Sequence, residues 1–351
     1  MKKHLNLIQV LRAAAILFVL IGHLTGLFYK RYEVNLLGMG EWGRTGGVDM
    51  FFVISGFMIA YLYKNKLGNP SHAAGFLQKR FLRIFPYYWL VTLGAITMLF
   101  LFPDFGDPFT LTHITTSMLL ISEDPILTVA WSLTHIVFFY ILFSLLIARP
   151  LIGAAIVGTY LTSIVTFYFI DFYPTNTLAA TLLNVSNLTI WLGAFVAFAI
   201  TKYTPKPAIG ALATAIGMTA FLFLWINNTY ELVGIERWTI RPFLYGLSSC
   251  FLVAGLATID LTLNIKITKP LRELGNASFS IFLTHGLFLM YFMHVLIGKW
   301  TLQQTLGWHL TMLLTATLTL LAGIASYYLI EKPLNSLLKK RRDTTRDSLA
   351  A

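Results

Sequence analysis

An all-α, polytopic membrane protein of about ten transmembrane helices is what this 351-residue sequence predicts, and three observations predict it. Apolar residues make up 57% of the chain and charged ones only 12%, with a mean hydropathy of +0.71. A water-soluble domain carries about 25% charged residues. Apolar runs of about 20 residues, enough to cross a hydrocarbon core of about 30 Å, recur from end to end. The basic residues, finally, gather on alternate loops, the bias that orients membrane helices.

Reading by length, the spans fall at 7–28, 46–64, 83–103, 127–148, 151–171, 184–201, 207–226, 242–260, 277–297 and 308–331. The basic start at Lys2 and Lys3 precedes an apolar run too long for a signal-peptide core, and no small-residue cleavage site follows it, so no cleavable leader is expected. The first span holds Arg12 and His23. Eleven residues advance an α-helix by about 1100°, which puts the two within about 20° of one face and about 16 Å apart. Ionisable side chains cost about 2.5 kcal/mol or more at bilayer depth, so both are site candidates. A cation at one end could hold an anionic group, and a neutral imidazole near mid-depth could take a proton from a hydroxyl. Snorkelling of Arg12 and a helix-to-helix hydrogen bond from His23 are the structural alternatives.

The second span opens with Asp49 in its first turn, where an acid also complements the helix dipole. Ser55-Gly56 predicts close helix packing or a kink. No GxSxG elbow surrounds Ser55, which leaves it at most a supporting residue. Before the third span, Lys79, Arg80 and Arg83 form a basic mouth. Arg80 and Arg83 are i,i+3 neighbours suited to gripping phosphates, or else a membrane anchor with the aromatic belt of Tyr87, Tyr88 and Trp89. Pro86 is expected to kink or start that helix. The stretch 111–121 could be a re-entrant segment inside an acidic loop.

The fourth span carries His135 in "WSLTHIVFFY", equally a packing or a site residue. Asn184, Ser186 and Asn187 make the sixth span the most polar. Cys250, the single cysteine, excludes an intrachain disulfide and reads as buried filler, and Asp260 reads as an ordinary interfacial acid. His285, about eight residues into the ninth span, lies near mid-depth. No HxxxH spacing or cysteine cluster accompanies the histidines, so no metal is expected. Glu331 ends the tenth span, where it could pair with Arg12 or another basic residue.

With a cytoplasmic N-terminus, the inner loops and both termini collect nineteen of the 26 basic residues. The outer loops hold six (Lys30, Arg31, Arg44, Arg237, Arg241 and Lys299), and Arg12 lies within a span. Both termini are therefore expected in the cytoplasm, and the net charge of +11 reflects positive-inside bias rather than a nucleic-acid partner. Residues 1–334 read as one ten-helix membrane domain and 335–351 as a short basic tail, with no inverted repeat of the transporter kind.

Six stretches, "IQVLRAAAILFVLIGH", "GGVDMFFVISGFMI", "LQKRFLRIFPYYWL", "AWSLTHIVFFYILF", "LRELGNASFSIFLTHG" and "YYLIEKPL", stand in an order that resembles the acyltransferase-3 family of bacterial integral-membrane O-acyltransferases. The second is most similar to members that modify exopolysaccharides and O-antigens. The resemblance covers essentially the whole chain. It implies a ten-helix enzyme of the cytoplasmic membrane that takes an acyl group, usually acetyl, from cytoplasmic acyl-CoA as co-substrate, with no resident cofactor. The acceptor would be a sugar hydroxyl on a glycan or its lipid-linked precursor. It implies His23 as the catalytic histidine, with His285 and Asp49 in support, and acyl-CoA binding by Arg12, Arg80 and Arg83 beside Lys79. Glu331, Trp131, His135 and Ser55 are implied supporting positions. Members commonly carry a glutamate where Ile136 stands here, next to His135. His23 could deprotonate the acceptor for direct attack or itself carry the acyl group. A proton-coupled transporter or flippase, and a catalytically silent scaffold of glycan assembly, are the rival readings.

Overall fold

The computed structural model describes residues 5–102, 109–122, 124–172, 174–236, 240–263 and 265–340. They fold into twelve α-helices, ten of which head segments long and apolar enough to cross a membrane. All ten expected spans are present. Three begin earlier than the apolar runs suggest: α3 at Ser71, α11 at Lys269 and α12 at Leu302. Their first turns are polar or basic, and good helix formers extend a helix beyond its hydrocarbon-length core.

The chain divides into two compact units. The first comprises residues 1–73 and 132–278. It holds α1 (Asn6–Tyr32), α2 (Gly47–Tyr63), α5 (Trp131–Ala148, from its second residue), α6 (Pro150–Phe169), α7 (Thr177–Leu182), α8 (Ser186–Tyr203), α9 (Pro207–Tyr230), α10 (Ile240–Leu263) and the start of α11 (Lys269–Met293). α2 and α10 lie at its centre, with 61% of their apolar windows buried against 17% for α6 and 22% for α9. Small residues set the contacts, because lipid supplies no hydrophobic drive between helices and close backbone approach does. A Cβ at Gly56 would strike the Ile190 carbonyl, and one at Gly193 the Val53 carbonyl, so α2 and α8 touch backbone to backbone. Ser55-Gly56 thus marks close packing, while α2 runs unbroken from Gly47 to Tyr63.

The polar sixth span resolves into a joint. Asn184 lies between α7 and α8, and Asn187, in the first turn of α8, donates from Nδ2 to the carbonyls of Thr181, Leu182 and Asn184 at 2.9–3.1 Å. These close the open end of α7, which would otherwise be left unsatisfied in the membrane. Asp260 has a role beyond the sequence reading. It is buried, and its Oδ2 accepts the backbone N–H groups of Leu7 (2.6 Å) and Ile8 (3.4 Å) at the start of α1. The position before α1 is Leu5, which cannot cap, so α10 supplies the cap from 253 residues away.

The second unit comprises residues 74–131 and 279–351. It holds α3 (Ser71–Leu101) from Ala74, α4 (Leu111–Met118), the rest of α11 and α12 (Leu302–Ser326). α3 continues through Pro86, which neither starts nor ends it. The 111–121 stretch forms an eight-residue helix, too short to cross a bilayer, fastened to α3 by Tyr88 and Trp89 donating to the carbonyls of Ser117 (2.6 Å) and Met118 (2.9 Å). After α12 the backbone widens into a π-helical turn over Tyr327–Glu331 and then stays helical to Lys340. The polar tail expected from residue 335 is thus helical for its first six residues; the remainder lies outside the described residues.

Candidate active site

α1 is unbroken from Asn6 to Tyr32, so Arg12 and His23 do share a face. Arg12 is half-buried and tethered: Nη1 donates to Gln9 Oε1 at 3.3 Å and Nη2 to Ser278 Oγ on α11 at 3.0 Å. Gly275, one turn before Ser278, allows this approach, since a Cβ there would meet the Gln9 carbonyl. His23 is the one exposed residue between Asn6 and Tyr29. A Cβ on Gly26, one turn further along, would meet nothing within 4 Å. Presenting an imidazole to hydrocarbon is costly, so the exposed side of His23 is expected to meet a polar group.

Asp49 is fully buried in the first turn of α2, and both its oxygens are taken by Arg44: Nε to Oδ2 at 2.9 Å and Nη2 to Oδ1 at 2.6 Å. This bidentate pair is the strongest geometry open to a carboxylate. Ser186 Oγ stands 3.5 Å from the same Nη2. The next residue, Asn187, accepts from His135 Nδ1 through Oδ1 at 2.9 Å. Because Asn187 Nδ2 is committed to three carbonyls, Oδ1 must face the ring, Nδ1 carries the proton, and Nε2 is the basic nitrogen of neutral His135. Phe52 packs edge-on against that ring, centroids 5.4 Å apart. The first turn of α8 therefore meets the arginine that grips the acid of α2 and the histidine of α5 together. Sequence reasoning missed Arg44, Ser186 and Asn187. The signal was an arginine five residues before an acid in a glycine-rich run, and two polar residues at the start of an apolar span. Ile136, beside His135, is buried.

In the second unit, Glu331 is fully buried in the π-helical turn, ion-paired with Arg83 Nη1 and accepting from Ser280 Oγ at 2.5 Å and Asn335 Nδ2 at 3.4 Å. The wide turn rotates Glu331 inward while Leu329 and Ile330 stay exposed. The expected partnership of Glu331 with a basic residue is thus made with Arg83. Arg83 also lies over the Phe279 ring (5.4 Å), as Arg80 does over Phe76 (5.7 Å). Lys79 is half-buried on the same helix. His285 is fully buried on α11, with Nδ1 against the carbonyls of Phe282 (2.8 Å) and Ile281 (3.1 Å). Carbonyls only accept, so Nδ1 bears the proton and Nε2 is again the basic nitrogen. Trp131 opens α5 and Ser55 sits mid-α2, both half-buried. Tyr87, read from the sequence as part of an aromatic belt, is buried and donates to or accepts from Ser326 Oγ at 2.7 Å, a further polar anchor.

Residues 5–328 match the acyltransferase-3 family (Acyl_transf_3), described as an acyltransferase domain. The chain belongs to that family. The acyltransferase-3 chain is also similar to the exopolysaccharide production protein ExoZ of Rhizobium meliloti (strain 1021), 27% identical over 310 residues that cover 85% of this chain and 92% of that protein. No solved structure matches it. The family assignment makes this a multi-pass membrane acyltransferase, and every site residue above except Glu331 and Asn335 falls within the matched segment.

Proposed function

We propose that this acyltransferase moves an acetyl group from cytoplasmic acetyl-CoA to a sugar hydroxyl of a cell-surface polysaccharide or its lipid-linked precursor, from the bacterial cytoplasmic membrane and with both termini in the cytoplasm. The observation that carries the reading is His23, the one exposed residue between Asn6 and Tyr29, on the same face as the tethered Arg12. The similarity to an exopolysaccharide production protein supports the choice of acceptor.

In this scheme Arg12, Arg80 and Lys79 hold the anionic groups of the donor, and Arg83 offers the part of its guanidinium not turned to Glu331. His23 accepts the proton of the acceptor hydroxyl as its oxygen attacks the thioester carbonyl. The C–S bond breaks, and CoA leaves as thiolate to be reprotonated by the imidazolium. In the relay form the imidazole nitrogen attacks first, CoA departs, and the acyl-imidazole then passes its acyl group to the sugar oxygen. His285 and His135, each with Nδ1–H fixed by an acceptor, are suited to receive a hydroxyl proton at Nε2. Asp49 acts through Arg44. A catalytically silent scaffold is the second reading, favoured by Ile136 at a position where relatives carry an acid.

Inside-out vesicles supplied with isotope-labelled acetyl-CoA test the proposal. Base-labile label should enter the glycan or lipid-linked fraction with release of free CoA, and His23→Ala should abolish it while the protein stays folded. Label that persists in His23→Ala would remove His23 from the chemistry. Binding of CoA without any transfer, with acceptor present, would favour the scaffold.

A further inference from the structure

The second unit contains a cavity of about 360 Å³ that no catalytic assignment uses. Tyr87, Val91, Gly94 and Met98 line it from α3, at spacings of 4, 3 and 4 residues that form one stripe. Eleven residues of helix rise about 16 Å, close to half of a hydrocarbon core of about 30 Å, so the stripe is one leaflet deep. Three of its hydroxyls are already engaged: Tyr87 and Ser326 bond to each other, and Thr284 Oγ1 donates to the Ser280 carbonyl at 2.8 Å. Apart from Tyr291, what remains is hydrocarbon. A pantetheine arm, whose amides need partners, would be poorly served there. The groove opens sideways, since lining residues Leu90, Tyr291 and Ile330 are 46%, 38% and 44% exposed.

Charge marks one end. Arg83 precedes Tyr87 by one turn, Arg80 by two turns on nearly the same face, and Lys332 follows Ile330 by two residues. Along α3 and from Ser326 to Lys340, Glu331 is the only acid, and Arg83 already neutralises it. An apolar trough one leaflet deep, open to the side and basic at one mouth, matches an amphiphile with a single seated chain and a phosphate head.

We propose that this groove binds one hydrocarbon chain of an anionic phospholipid, which enters laterally from the bilayer and sets its phosphate against the Lys79–Arg83 end of α3. The groove that holds the chain uses none of the residues given to the acyl donor, while the phosphate would share the Lys79–Arg83 cations with that donor.

Phosphatidylglycerol carrying a mid-chain diazirine, reconstituted with the full protein in vesicles and photolysed, tests it. Crosslinks should concentrate on Leu90–Met98 and Thr284–Tyr291, and excess unlabelled phosphatidylglycerol should remove them while phosphatidylcholine with the same chains does not. A Cβ at Gly94 meets nothing within 4 Å, so the backbone leaves room for a side chain there, and Gly94→Phe is chosen to fill the groove. Displacing about two methylenes of the chain lowers crosslinking about ten-fold. Leu90→Trp, at an exposed lining position, should do the same, and both variants should melt with wild type. Labelling spread evenly over all lipid-facing helices and indifferent to both substitutions would overturn the site. Equal displacement by phosphatidylcholine would overturn its anionic preference, and displacement by free CoA would hand the groove to the donor.

Discussion

Arg83→Ala tests whether the Arg83–Glu331 pair is a structural element or a by-product of a donor-binding arginine. Glu331 is fully buried, and its remaining acceptor contacts are Ser280 at 2.5 Å and Asn335 at 3.4 Å. Removing one partner of a buried ion pair costs about 3–5 kcal/mol, because the other charge stays buried without compensation. The Arg83 side chain is 37% exposed, which lets water reach the vacated position and places the loss at the low end, about 3 kcal/mol or roughly a hundred-fold in the folding equilibrium. Glu331→Gln keeps an oxygen for Ser280 and leaves a partly hydrated arginine, so about 1 kcal/mol is expected. The double variant should resemble Glu331→Gln alone, a coupling of about 3 kcal/mol across the cycle. Unfolding in detergent titrated with dodecyl sulfate, followed by circular dichroism, reads all four proteins. If Arg83→Ala unfolds within about 0.5 kcal/mol of wild type, or if the two single losses simply add, the buried-pair reasoning is wrong.

Two further outcomes follow from the first unit. Asp260→Ala removes the acceptor for two N–H groups of α1 and should cost about 2 kcal/mol, with amide exchange accelerated at Leu7 and Ile8, whereas Asp260→Asn keeps an acceptor and should cost about half of that; equal behaviour of the two would show that the cap is not formed. Arg44→Lys preserves charge but not the two parallel hydrogen bonds to Asp49, so it should lower stability by about 1–2 kcal/mol in the same titration, and a wild-type midpoint would show that bidentate geometry is unimportant there.

The ten spans were legible because length and hydropathy decide them, and the Arg12–His23 face because helical period fixes it. Asp49 and Glu331 were legible as polar residues at helix ends, and Glu331 as a partner for some cation. Which cation could not be read: Arg83 lies 248 positions away, and the π-helical turn that aims Glu331 inward has no sequence signature. The capping role of Asp260 was hidden for the same reason, since the helix start that it caps lies 253 positions away. Asn187 looked like a weakness of the sixth span. It is the closure of α7 and the anchor of His135, roles that exist only once α5, α7 and α8 meet.

The four-residue loop Gly43–Gly46 carries a consequence for how the first unit admits anything at that end. Thr45 Oγ1 donates to the Phe18 carbonyl (2.7 Å), Trp225 Nε1 donates to the Thr45 carbonyl (2.9 Å), Asn228 Nδ2 to the Arg44 carbonyl (3.3 Å), and Arg44 grips Asp49. Swinging it aside would break bonds to α1, α2 and α9 at once. It is a lintel, not a door: passage at this end has to come from the helices and loops around it, and grafts meant to change what enters belong in those neighbours rather than in residues 43–46.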